Sequence, residues 1–190
     1  MNEIHDRIYP DNIGKAGVDE LRMHIYRYNF ALKHTLAGGI TLDAGCGSGY
    51  GSRMLSFISG QVIAIDRAEA AITHAKEHFP SDKIDFRLCE TLNLQDGDFD
   101  TIVALEMLEH NNNPEEIFNF LMSKLKVGKH AIFSLPVNSR APGHLRIFSV
   151  QDIQQFFKGQ TGFFFYQNVG DVSPEPNDNP LVIIALILKT

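Results

Sequence analysis

Glycines at positions 45, 47, 49 and 51 follow an apolar stretch ending in Leu42-Asp43-Ala44 and lead into a helical pattern at Tyr50. A strand, a glycine turn and a helix start, in that order, let a backbone approach a ligand closely and offer it unpaired N–H groups. The spacing narrows the ligand. A dinucleotide fingerprint of the GxGxxG type needs its third glycine where Tyr50 stands, so the turn reads GxGxG. Asp43 at the strand end would repel a pyrophosphate but suits a ligand that carries positive charge instead. The next strand-like run ends in Asp66, placed to accept hydrogen bonds from the hydroxyls of a ribose.

The rest of the chain alternates around this turn. Apolar strand-like runs fall at Ile40–Ala44, Gln61–Ile65, Ile84–Leu88, Thr101–Leu105 and His130–Leu135. Helical periodicity predicts helices over Asp19–Ala37, Tyr50–Ile58, Ala68–Phe79, Pro114–Leu125 and Val150–Phe157. The first would bury a stripe of Leu21, Ile25, Tyr28 and Leu32. Asn113, Pro114 and Glu116 read as a capping box, and Ser149 with Asp152 as a weaker one. Such alternation implies right-handed crossovers and a parallel sheet covered by helices on both faces. Gly162–Val169 and Leu181–Leu188 break it, with a proline-rich loop over Gly170–Pro180 between them. Strands joined without a helix must pair antiparallel. The expected fold is therefore an α/β three-layer sandwich, its mostly parallel seven-stranded sheet closed by a terminal antiparallel hairpin.

At 190 residues the chain is expected to form a single domain, with residues 1–38 as an N-terminal helical cap segment. Its 44% hydrophobic and 21% charged content suits a globular protein. Neither a secretion signal nor a membrane span is expected, the run Leu181–Leu188 being too short to cross a bilayer. Cys46 and Cys89 form no CxxC pair, which fits a reducing, cytoplasmic setting. A net charge of −6 argues against broad nucleic-acid binding.

Taken with these residues, "LDAGCGSGYG" and "VIAID" resemble the first two motifs of the class I, Rossmann-like methyltransferases that use S-adenosylmethionine. "FDTIVALEMLEH" and "LKVGKHAIFSLPVN" are similar to the family's fourth- and fifth-strand segments. "HIYRYNFALKHTLAGG" is similar to a branch acting on small molecules and saccharides. The resemblance implies S-adenosylmethionine as cofactor and a small-molecule or saccharide acceptor. It assigns Asp43, Gly45, Cys46, Gly47 and Gly49 to the loop around methionine and ribose, and Asp66 to the ribose. Arg67, Glu90 and Thr91 would lie around the adenine, and Leu105 and Glu106 under the sulfonium. Arg27 would pair with the methionine carboxylate. Cys46 reads as a small residue that fits the loop rather than as a nucleophile.

The acceptor chemistry points to Glu106-Met107-Leu108-Glu109-His110, directly after a strand end. His110 is the expected general base because imidazole titrates near neutrality, with Glu109 beside it. Asn138, Arg140, His144 and Arg146 follow the fifth strand, in what resembles the family's acceptor-side loop. The Glu-x-x-Glu-His spacing is also similar to that of ubiquinone-pathway O-methyltransferases and, more loosely, RNA 2′-O-methyltransferases, where such residues are linked to a divalent metal. A metal ion on Glu106, Glu109 and His110, with His144, is thus the minor alternative. A cofactor-binding partner protein without turnover, and a metal-dependent RNA enzyme, remain the other readings.

Overall fold

The computed structural model describes residues 8–10 and 17–190. Its strands are β1 (Ile40–Ala44), β2 (Gln61–Asp66), β3 (Ile84–Leu88), β4 (Phe99–Leu105), β5 (Leu125–Pro136), β6 (Thr161–Gln167), β7 (Val172–Ser173) and β8 (Val182–Leu188). The helices are α1 (Val18–His34), α2 (Tyr50–Leu55), α3 (Glu69–His78), α4 (Pro114–Lys124) and α5 (Val150–Phe156).

All eight strands join one sheet in the order β3-β2-β1-β4-β5-β8-β6-β7. β1 to β5 are mutually parallel, whereas β8 runs antiparallel to both β5 and β6. The expected layout of five parallel strands and a closing hairpin is present. The count is eight rather than seven, because the stretch expected to be loop contains β7, which pairs with the end of β6 over two residues. A strand that short carries no hydrophobic alternation to reveal it.

Buried strands send alternate side chains to opposite faces. On β4, Ile102 and Ala104 pack with Ile117, Phe118 and Leu121 of α4, while Val103 and Leu105 pack with Tyr28, Phe30 and Ala31 of α1. Two apolar layers therefore sandwich the sheet, and each fully buried Leu or Ile contributes about 1.5–3 kcal/mol.

Two local expectations are corrected. The buried face of α1 is Arg27, Tyr28, Phe30 and Ala31, and Ile25 is 36% exposed. Docking onto the strands through two aromatic rings outweighed the apolar stripe. The box at Asn113 is not formed, for its side chain makes no cap bond and instead donates to Glu116 Oε2 at 3.4 Å. The box at Ser149 closes in both directions with Asp152.

The order of strands places β2 on one side of β1 and β4 on the other, so the helices that follow β1 and β4 diverge. A crevice opens at the carboxyl ends of these two strands, where open parallel sheets bind ligands.

Candidate functional site

The glycine turn fills the floor of that crevice. Gly45, Gly47 and Gly49 have φ values of 76°, 54° and 94°, a left-handed backbone that disfavours side chains. Their spaces differ. A Cβ on Gly49 would lie 2.5 Å from the Cβ of Ala75, so this position joins the turn to α3. A Cβ on Gly47 would meet nothing within 4 Å, leaving an open cradle at the crevice wall.

Asp66 sits at the end of β2 and is 6% exposed. Its Oδ1 accepts from the N–H of Ala68 at 2.8 Å, and its Oδ2 from the N–H of Gly47 at 3.0 Å. One carboxylate thus holds both the start of α3 and the glycine turn, while its edge lines the cavity. Asp43 lies beneath the turn and is fully buried. Ser52 Oγ donates to it at 2.6 Å and the Tyr28 hydroxyl at 3.2 Å. Burial pushes its carboxyl up to about 7, against the pull of those two hydrogen bonds.

The cavity above measures about 440 Å³. Of the residues expected to hold a cofactor, Gly45, Cys46, Gly47, Asp66, Arg67, Glu90, Thr91, Leu105 and Glu106 line it. Asp43, Gly49 and Arg27 do not. Asp43 and Gly49 shape the turn from behind. Arg27 is 1% exposed, its Nη1 donating to Gln167 Oε1 at 2.8 Å, with Gln167 anchored in turn on the carbonyl of Met23. In this arrangement the guanidinium ties α1 to β6 instead of reaching the crevice. Cys46 is a buried thiol whose pKa burial raises well above its ordinary value, as a packing residue's would be.

The second half of the cavity is lined by Glu20, His24 and Tyr28 of α1, Tyr50 of α2, His110, and Ala141, Pro142 and His144 of the loop after β5. Sequence reasoning missed Glu20, His24 and Tyr50. Their only signal was a helix amphipathic in the wrong register and a residue occupying a glycine slot. Burial holds the His24 imidazole well below its usual range.

His110 Nδ1 lies 3.1 Å from the carbonyl of Gly143, an acceptor only, so that nitrogen carries the hydrogen and Nε2 is the basic one. His110 and His144 meet edge to face at 4.8 Å between ring centroids. The loop is docked further by the N–H groups of Leu145 and Arg146, which donate to the carbonyl of Glu109 at 2.8 and 3.1 Å. Glu109 itself is fully buried, and neither carboxyl oxygen has a hydrogen-bond partner among the described residues. Burial and then the neighbouring Glu106 raise its pKa well above the ordinary carboxylate range. One ligand atom each from Glu109, His110 and His144 lie within 4.8 Å of one another. A carboxylate with orphaned oxygens beside two imidazoles is a donor set that fits a divalent cation.

Fold and site together give a Rossmann-like α/β sheet with one cavity, lined by the glycine turn on one side and by α1 and the loop after β5 on the other. Residues 42–133 match the family model described as the methyltransferase domain. The chain is 38% identical over 98 residues to a ubiquinone biosynthesis O-methyltransferase of Xanthomonas euvesicatoria, covering 49% of this chain and 41% of that protein. A probable S-adenosylmethionine-dependent methyltransferase of Mycolicibacterium smegmatis is 30% identical over 105 residues, 55% of this chain and 41% of that protein. The matched region thus spans about two fifths of these relatives' length.

Among solved structures, the N-methyltransferase NodS of Bradyrhizobium japonicum in complex with S-adenosylhomocysteine superposes with a TM-score of 0.70 at 17% identity, covering 90% of this chain and 87% of that one. An S-adenosylmethionine-dependent methyltransferase of Clostridium acetobutylicum gives 0.71 at 15%, covering 93% and 94%. These likenesses show the shared fold. No helix among the described residues is long and apolar enough to cross a membrane.

Proposed function

We propose that the protein transfers a methyl group from S-adenosylmethionine to an oxygen or nitrogen atom of a small molecule or saccharide. The observation that carries this reading is the continuity of the crevice: Gly47, Asp66 and Leu105 share one cavity with His110. The open space at Gly47 and the acid at the end of β2 suit a nucleoside without phosphates. S-adenosylmethionine supplies an activated methyl group when bound. The chain's residues are left with alignment, which accounts for several kcal/mol of such a barrier.

Leu105 and Met107 wall the cavity at the end of β4, and the loop Ala141–His144 closes its far side. His110 takes the acceptor's proton on Nε2 as the new bond to carbon forms, an effect of about 10²–10⁴-fold where that proton is poorly acidic. The net charge of −6 and the free thiols support a small acceptor and a cytoplasmic setting over a nucleic-acid partner. Incubation with methyl-labelled donor and fractionated lysate metabolites, read by mass spectrometry, is expected to yield S-adenosylhomocysteine and a labelled product. No release of S-adenosylhomocysteine with any fraction would favour a binding protein without turnover.

The orphaned Glu109 carboxylate favours a second reading, in which Glu109, His110 and His144 hold a divalent cation beside the acceptor. Manganese would then raise the melting temperature and EDTA would abolish turnover. Turnover indifferent to EDTA contradicts it.

A further inference from the structure

Ser134 and Glu106 form a closed pair at the rim of the acceptor chamber. Ser134 stands on β5 opposite Leu105, the last residue of β4, and is 1% exposed. The N–H of Glu106 donates to the Ser134 hydroxyl at 3.0 Å, and that hydroxyl donates to Glu106 Oε1 at 2.9 Å. The N–H also reaches the Ser134 carbonyl at 3.3 Å. Glu106 adopts a φ of 52°, a conformation that costs a non-glycine residue about 1 kcal/mol or more unless its surroundings enforce it. The serine fixes main chain and side chain at once, and the carboxylate is held in the cavity wall.

The cavity wall around this carboxylate carries more acids than cations. Glu20 and Tyr50 face the same chamber, and burial raises the Tyr50 phenol's pKa, with Arg27 pulling against it and Asp43, Glu20 and Glu106 adding to it. Behind the wall, buried Glu109 has no hydrogen-bond partner for either oxygen among the described residues. Among the described lining residues the one Lys or Arg is Arg67, on the adenine side, and Arg27 is committed to Gln167. An acceptor with an anionic group would meet Glu20 and Glu106, with no lining Lys or Arg beside them among the described residues. One with a cationic group would meet Glu106 already oriented.

We infer that Glu106, positioned by Ser134, is a specificity residue that binds a protonated amine on the acceptor, at a point separate from the atom that receives the methyl group. The inference rests on the proposed methyltransferase reading and names the class of substrate for it. Ser134 is a positioning residue, acting through Glu106.

The probes are tyramine and 4-hydroxyphenylacetate, phenols of similar size that differ in the sign of their terminal charge. Calorimetry begins with S-adenosylhomocysteine alone; no binding there is a failure of the methyltransferase reading itself, and this inference falls with it. With that ligand saturating, tyramine is expected to bind about tenfold or more tightly than 4-hydroxyphenylacetate. Glu106→Gln should erase the preference. Ser134→Ala should reduce the preference severalfold, and Ser134→Thr, which restores a hydroxyl, should recover it. Equal affinities, tighter binding of 4-hydroxyphenylacetate, or binding of neither probe overturns the inference. A preference for the carboxylate that EDTA removes would mark a bound metal ion in place of an ammonium site.

Discussion

The ring of Tyr28 fills the space that a side chain on Gly51 would need: a Cβ there would lie 1.9 Å from Cζ. The same ring carries the hydroxyl that donates to Asp43, while Ser52, next to Gly51, donates to the other carboxyl oxygen. Helix α1, helix α2 and the floor of the glycine turn are thereby fixed to one another at one buried point. Gly51→Ala is expected to cost about 1–3 kcal/mol, because the neighbour that must move is a packed ring. Chemical denaturation measures this directly. The variant should also bind S-adenosylhomocysteine more weakly, since α1 forms one wall of the cavity. A stability equal to that of the native protein would show that α1 is not docked in this way.

Asp66 and His110 should separate in their effects. Asp66→Ala removes the acceptor for the N–H groups of Gly47 and Ala68 as well as the proposed ribose contact. It should weaken S-adenosylhomocysteine binding about tenfold or more and lower stability by about 1 kcal/mol. His110→Ala should leave that binding unchanged and lower turnover by about 10²-fold or more. Calorimetry paired with initial rates on an acceptor found by the labelling experiment distinguishes them. Equal loss of binding in both variants would make His110 structural.

Stability should respond to pH through Asp43. Its carboxyl is raised from 3.8 to about 7 in the fold, chiefly by burial, so folding takes up a proton between those values. The contribution from this group is fully present below pH 4 and is lost as pH rises towards 7, on the order of 1 kcal/mol per unit at most. Asp43→Asn retains an oxygen to accept from Ser52 and Tyr28 but cannot ionise. Melting temperatures across pH 4–8 should therefore fall less steeply in the variant, which should be the more stable protein at pH 8. Parallel curves would place the titration elsewhere.

The frame of the molecule was legible because it rests on periodicity and turn chemistry. The runs ending in Ala44 and Leu105 are long, apolar and bounded by glycine or acid, and both became strands at the expected places. The glycine turn declared itself by spacing, and Asp66 by its distance from the turn. What remained hidden was tertiary. No pattern in α1 tells that Arg27 would be spent on Gln167, 140 residues away, or that Tyr28 would meet Asp43. Ser134 looks like any small polar residue in a strand until β4 and β5 pair in register beside Glu106. Likewise, the box at Asn113 satisfied the sequence rule and failed because its amide turned to the Glu116 side chain, whereas Ser149 met the same rule with Asp152.

The account turns on what the crevice between β1 and β4 grips. Titration calorimetry of the purified protein with S-adenosylhomocysteine and, separately, with NADH tests it most directly. The predicted result is saturable one-to-one binding of S-adenosylhomocysteine and no heat from NADH. Saturable binding of NADH with no heat from S-adenosylhomocysteine would contradict it.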